Sequence, residues 1–174
     1  LVLAPTRELA AQIDENIRAY CAQTELNTVL IFGGVNIRPQ TEALLKGCDF
    51  LIATPGRLLD HAGQLNVDLS EVEFLILDEA DRMLDMGFYD DIMQIYKQLP
   101  ASCQIIMFSA TMPPKIRTLA ETILKNPEEI QLAISRPPET IMQTAYICYD
   151  TQKIKILEDL FSKARPQRVI IFAS

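Results

Sequence analysis

The sequence has a single histidine, four scattered cysteines and no long apolar run, and each scarcity excludes something. One imidazole, His61, rules out any mechanism that needs two, and most histidine-based metal centres with it. Cys21, Cys48, Cys103 and Cys148 lie far apart and form no Cys-x-x-Cys pair, which argues against a zinc site or a thiol redox motif. They predict four reduced, mostly buried thiols and a reducing compartment, the cytoplasm or the nucleus. Spanning a bilayer takes about 20 consecutive apolar residues, so no membrane partner is expected. No secretory signal opens the chain. The first methionine is Met83, and both ends fall inside strand-like runs, Leu1–Ala4 and Val169–Ser174. The chain is therefore expected to be part of a longer protein.

What is present suits a globular domain with the start of a second: 174 residues, 49% hydrophobic and 22% charged. The net charge of -7 argues, taken alone, against a polyanion partner. Its distribution is uneven. Residues 1–133 carry ten Lys and Arg against nineteen Asp and Glu, whereas residues 141–174 carry five against three. Nucleic acid bound to the larger part must therefore sit in a local site and not on a broad basic face.

Short apolar runs alternate with amphipathic segments. The runs are Leu1–Ala4, Thr28–Phe32, Phe50–Ala53, Phe74–Leu77 and Gln104–Phe108, apolar on both faces as buried parallel strands are. Between them, Leu9, Ile13, Ile17 and Tyr20 recur at helical spacing. Helices are also expected over Ile37–Lys46, stopped by Gly47; over Pro55–Ala62, closed by Gly63; over Phe88–Leu99; and over Pro113–Lys125, ended by Asn126-Pro127. This alternation predicts an α/β fold, a mostly parallel sheet with helices on both faces. Ser135 to Thr140, with two adjacent prolines, reads as a linker between a first domain (1–134) and the opening of a second (141–174). The second is expected to hold a strand over Ile141–Tyr149, a helix carrying Ile154, Leu157, Leu160 and Phe161, and a terminal strand.

The strand Phe74–Leu77 runs straight into Asp78-Glu79-Ala80-Asp81. Ligands of open α/β sheets bind at the carboxyl ends of strands. A carboxylate there can hold Mg²⁺ through water against nucleotide phosphates, and a second can deprotonate an attacking water. The same acids would also suit the N-terminus of the following helix. After the strand Gln104–Phe108, the hydroxyls of Ser109 and Thr111 can either bond that acidic cluster or cap the next helix.

Three further turns open after strands: Pro5-Thr6-Arg7, Gly33-Gly34 and Thr54-Pro55-Gly56-Arg57. Free N–H groups at a helix start, a hydroxyl, a bare glycine backbone and an arginine fork are what a phosphate needs. Several such turns on one sheet edge could track a nucleic-acid backbone without reading bases. Ordinary turn chemistry accounts for any one of them alone.

As an ordered set these residues closely resemble the DEAD-box family of ATP-dependent RNA helicases. Asp78-Glu79-Ala80-Asp81 spells the family name. It lies between Pro5-Thr6-Arg7-Glu8-Leu9-Ala10, Gly33-Gly34 and Thr54-Pro55-Gly56-Arg57 on one side, and Arg82 to Phe88 and Ser109-Ala110-Thr111 on the other. Val169 to Phe172 is similar to the first motif strand of the family's second domain. The resemblance implies a RecA-like fold, truncated at its N-terminus, with ATP and Mg²⁺ as cofactors and RNA as partner. It implies that Asp78 helps hold Mg²⁺ together with Glu79, that Glu79 prepares the attacking water, and that Asp81, Ser109 and Thr111 link the ATP site to closure of two domains. It assigns Pro5, Thr6, Arg7, Gly33, Gly34, Thr54, Pro55, Gly56 and Arg57 to the sugar-phosphate backbone of one RNA strand. Protein partners are expected through flanking regions.

One element of the family pattern has no counterpart: the sequence contains no Gly-x-x-x-x-Gly-Lys-Ser/Thr loop. The 174 residues alone are therefore expected not to hydrolyse ATP. An ATP-independent RNA-binding or scaffold module on the same fold is the alternative, and Glu79 speaks against it because pure binding needs no base. A DNA-directed motor fits less well, since the tetrad ends in Asp81 and not in histidine.

Overall fold

The computed structural model describes residues 1–132, 141–142, 144–163 and 167–172. Two compact units divide the chain, Leu1–Glu128 and Glu129–Ser174.

The first unit is built on five strands: β1 (Val2–Leu3), β2 (Thr28–Ile31), β3 (Phe50–Ala53), β4 (Phe74–Leu77) and β5 (Gln104–Met107). They form one sheet in the order β2-β3-β1-β4-β5, and every pairing is parallel. The helices are α1 (Arg7–Tyr20), α2 (Arg38–Leu44), α3 (Pro55–Gly63), α4 (Ala80–Asp85), α5 (Tyr89–Tyr96) and α6 (Pro114–Ile123).

Side chains of a strand alternate between faces, and here the two faces carry two separate cores. Val2, Ala4 and Ile52, with Leu30, Phe50 and Ile76, meet Leu9, Ala10, Ile13 and Ile17 of α1. Their neighbours in sequence, Leu3, Ile31, Leu51, Ala53, Leu75 and Leu77, point the other way. There they meet Leu44 of α2, Leu58 of α3, Met83 of α4, Ile92 and Ile95 of α5, and Ile116, Leu119 and Ile123 of α6. Each fully buried side chain of this size stabilises the fold by roughly 1.5–3 kcal/mol, so stability is weighted towards the second face. One polar group is buried under α1. Asp14 accepts from the Thr28 hydroxyl at 2.7 Å and from Arg18 Nε at 2.7 Å, which ties α1 to β2 without leaving a lone charge.

Helix ends follow local chemistry, with one correction. The Thr6 hydroxyl accepts the Leu9 N–H at 3.2 Å and caps α1. Gly47 turns the chain after α2 at φ 79°. Gly63, expected to close α3, is its last helical residue instead, and the left-handed position falls on Leu65 at φ 57°. The side chain of Leu65 stays exposed, so no packing opposes it there.

Of the four thiols only Cys103 is buried; Cys21, Cys48 and Cys148 are half-buried, and all four are free. No helix among the described residues is long and apolar enough to cross a membrane.

In the second unit, α7 spans Lys153–Lys163 after a 3₁₀ turn at Asp150–Gln152, as the helical spacing of Ile154, Leu157, Leu160 and Phe161 predicts. The described residues of the two expected strands, within 141–149 and 169–172, form none. A strand needs a neighbour to bond its backbone, and these stretches pair with no other described segment. The expected linker at 135–140, and Ala173 and Ser174, lie outside the described residues.

Candidate functional site

Parallel strands deliver all their following turns to one rim. Counted across the sheet, that rim carries Phe32-Gly33-Gly34 after β2, Thr54-Pro55-Gly56-Arg57 after β3, Ala4-Pro5-Thr6 after β1, Asp78-Glu79 after β4, and Phe108-Ser109 after β5. Strands lie about 4.8 Å apart, so the row spans roughly 19 Å. The glycine- and threonine-bearing turns occupy three contiguous positions, and the acids with the hydroxyls occupy the other two. Backbone bonds continue the ladder into the turns. Ala4 N–H donates to Ala53 O at 3.0 Å, Thr54 N–H to Ile31 O at 3.2 Å, and Asp78 N–H to Leu3 O at 3.0 Å.

At the acidic end, Asp78 is half-buried and its Oδ1 accepts the Glu79 N–H at 3.0 Å. Glu79 sits at φ 49° and ψ 51°. This left-handed conformation costs about 1–2 kcal/mol for a residue with a Cβ. Its side chain makes no capping bond to α4; Glu79 Oε2 instead takes a bond from Arg82 Nη1 at 3.1 Å. The carboxylate thus pairs with a side chain of α4 and does not cap its backbone. Backbone bonds lock the bend to β5: Ala80 N–H donates to Phe108 O at 2.9 Å and Phe108 N–H to Leu77 O at 2.8 Å.

Asp81 reaches across to the turn after β5. Its Oδ2 accepts the Thr111 hydroxyl at 2.6 Å and the Thr111 N–H at 3.0 Å, while Ser109 Oγ donates to Thr111 O at 2.7 Å. The cap of α6 is Pro113, so the Thr111 hydroxyl serves Asp81 and not the helix. Burial alone would raise the Asp81 carboxyl. The bonds from the Thr111 hydroxyl, the Arg82 and Thr111 N–H groups and Ser109 outweigh it and hold the group below the usual aspartate value.

On the other half of the rim the expected residues differ in access. Gly33 and Gly34 are exposed, and Gly34 lies at φ 82°, which a residue with a side chain rarely adopts. Thr6, Thr54 and Gly56 are half-buried. Pro5 and Pro55 are buried beneath the rim, and Pro55 is the first residue of α3. Arg7 is exposed, and its pairing with Glu8 at 2.6 Å raises its already high pKa. Arg57 lies down: its side chain is only 10% exposed, and its Nη2 donates to Val35 O at 3.1 Å.

Gln40 belongs to this region and the sequence gives no sign of it. It is buried, and its amide bonds both backbone groups of Phe32, immediately before Gly33. A glutamine in a helical segment ordinarily signals an exposed face.

A parallel α/β sheet with an acidic strand end coupled to a neighbouring hydroxyl turn, and phosphate-suited turns beside it, has the architecture of the RecA-like class. Residues 1–119 match the DEAD/DEAH box helicase family, and the chain belongs to that family. It is 41% identical over 173 residues to the DEAD-box ATP-dependent RNA helicase RhpA of Helicobacter pylori, covering 99% of this chain and 35% of the relative. It is 39% identical over 178 residues to the ATP-dependent RNA helicase DBP2 of Encephalitozoon cuniculi, covering 100% of this chain and 36% of the relative. The solved structure of a DEAD box protein from the hyperthermophile Methanococcus jannaschii superposes with a TM-score of 0.72 at 35% identity, over 92% of this chain and 43% of that one. The chain thus spans about a third of the length of the curated relatives it matches.

Proposed function

We propose that this chain supplies part of the first motor domain, and the opening of a second, in an ATP-dependent RNA helicase. In that protein ATP hydrolysis is coupled to sequence-independent gripping of one RNA strand and to local opening of a duplex. The observation that carries the reading is the single rim: acids and hydroxyls at β4 and β5, glycine and threonine turns at β2, β3 and β1, all at strand carboxyl ends.

The residues suit Mg²⁺ held in the way nucleotide enzymes hold it, through one or two carboxylates and several waters. Among the described residues no cluster of three metal-ligating side chains exists, so an all-protein cage is not on offer. Asp78 has one oxygen committed to the Glu79 N–H, and the other would face the cation through water. Bound there, Mg²⁺ would neutralise charge on the nucleotide phosphates. Glu79 would orient and deprotonate the attacking water, a role typically worth about 10²- to 10⁴-fold. Asp81, through Thr111, would report the state of that site to the turn after β5. Thr6, Thr54, Gly33, Gly34 and Gly56 would present N–H and hydroxyl groups to RNA phosphates. Further protein partners, and action in a reducing compartment such as the cytoplasm, belong to the same proposal.

The test is ATP turnover by the full-length protein with and without single-stranded RNA or DNA. Stimulation by RNA above DNA is expected. RNA binding without any ATP turnover would instead indicate a binding or scaffold module. The 174 residues alone should show no turnover.

A further inference from the structure

The Gly33–Gly34 turn is held on both sides by side chains from other elements. Upstream, β2 leaves its ladder after Ile31, which is the last residue paired with β3. At the next residue Gln40 takes over. Its Oε1 accepts the Phe32 N–H at 3.1 Å and its Nε2 donates to Phe32 O at 3.2 Å. A neighbouring strand would satisfy these groups in a continuing sheet; here one buried amide of α2 does both. Downstream, Arg57 of α3 donates Nη2 to Val35 O at 3.1 Å, and its Nε lies 3.4 Å from Asp60 Oδ2. The remaining Arg57 nitrogens, Nε and Nη1, have no hydrogen-bond partner and are shut off from solvent. No phosphate reaches them in this arrangement.

Between the two holds the backbone is bare. A Cβ on Gly33 would meet no atom within 4 Å, so packing does not require glycine there. We propose that Gln40 and Arg57 are positioning residues: together they clamp Phe32–Val35 so that the Gly33–Gly34 backbone stands beside the start of α3 as one preformed surface for a single-stranded RNA backbone. This rests on the RNA reading above and departs from it at one residue, because the Arg57 guanidinium acts on the loop and not on a phosphate. Its burial requires this. Its hydrogen-bond acceptor is a backbone carbonyl of the loop, and its side chain is only 10% exposed.

Two measurements on the full-length protein separate the possibilities. The first needs no RNA. Hydrogen exchange of a peptide spanning residues 29–37 is compared in wild type, Gln40→Ala and Arg57→Ala. Exchange of the Phe32 amide should speed up roughly tenfold in Gln40→Ala, which removes its acceptor, and by less in Arg57→Ala, which frees only the Val35 carbonyl of the same turn. The second measures affinity for a fluorescent single-stranded oligouridylate across salt concentrations. Arg57→Ala should weaken binding with an unchanged salt slope, whereas loss of a phosphate contact lowers the slope by about 0.7. A slope lowered by that amount, with unaltered exchange, overturns the clamp. Where Arg57→Ala does not fold, Arg57→Gln serves, since it keeps an amide donor and loses the charge. The clamp predicts the wild-type slope for it, and a phosphate ligand predicts the drop. Failure of the wild type to bind the oligouridylate would count against the RNA reading, while the exchange measurement still decides the clamp.

Discussion

One carboxylate oxygen of Asp81 receives two hydrogen bonds from Thr111, the amide at 3.0 Å and the hydroxyl at 2.6 Å. Asp81 stands in the first turn of α4 and Thr111 in the segment after β5, so the pair fastens the end of β4 to the end of β5. Thr111→Val keeps the amide and the shape but removes the hydroxyl. It should lower stability by about 1 kcal/mol, since the site is only partly shielded. Urea unfolding measures this, and an unchanged midpoint would show that the hydroxyl contributes nothing.

That link has a pH signature. The Asp81 carboxyl is depressed in the folded state by its hydrogen bonds, which outweigh its burial. Its contribution is therefore complete above the ordinary aspartate value of about 3.9 and fades as pH falls through the lower folded value. The stability difference between wild type and Thr111→Val should stay constant from neutral pH down to about 4.5 and shrink in stronger acid. A difference that disappears near neutrality would assign it to another group.

His61 is shifted in the same direction by a different cause. It is fully buried on α3, its Nε2 has no partner, and Nδ1 lies 3.5 Å from Asn66 Nδ2. Burial first, and the nearby Arg57 charge second, push its pKa down. The unfolded chain then takes up the proton more readily, so stability is complete above the ordinary value of about 6.5 and is lost as pH falls below it. His61→Leu should flatten the melting temperature between about pH 7.5 and 5.5. A slope that persists in the variant would implicate other groups, because the chain has no second histidine.

Glu79 joins a strained backbone to a proposed catalytic role. In the full-length protein Glu79→Gln should reduce ATP turnover by about 10²- to 10⁴-fold while nucleotide binding survives. Glu79→Gly should also lose turnover, yet melt at a higher temperature, since it relieves a left-handed conformation at φ 49°. Turnover near the wild-type rate in Glu79→Gln would remove Glu79 from the role of base.

Gly33→Ala should fold with little change in stability, because the added methyl meets nothing within 4 Å. Its effect should appear only with RNA, as an affinity loss of similar size on different sequences. Destabilisation without RNA would mean that the glycine serves the fold.

The sheet and its helices are legible in the sequence because each strand is an apolar run of four or so residues and each helix keeps an apolar stripe. Phe50–Ala53 and Phe74–Leu77 are strands at the expected limits. The common rim follows from parallel pairing alone, so the grouping of Asp78 with Thr54 and Gly33 is also foreseeable. What a linear reading misses is how side chains lie. Arg57 reads as a fork for phosphate, and its side chain lies against Val35 O; Gln40 carries no signal in the sequence and is buried. Such placements depend on which backbone groups are left without partners once the sheet has formed. The described residues within 141–149 and 169–172 form no strand for a related reason. Apolar alternation states a preference for a sheet, but the hydrogen-bonding neighbour must come from elsewhere.

The position of β1 has a consequence for how the chain acquires its shape. Val2 pairs with Ile52 on one side and Ile76 on the other. Of the five strands described, the one synthesised first is thus the central one, and it waits for partners translated after it. Leu3 must stay sheltered from aggregation until β4 emerges. Such distant pairings slow collapse to the native topology.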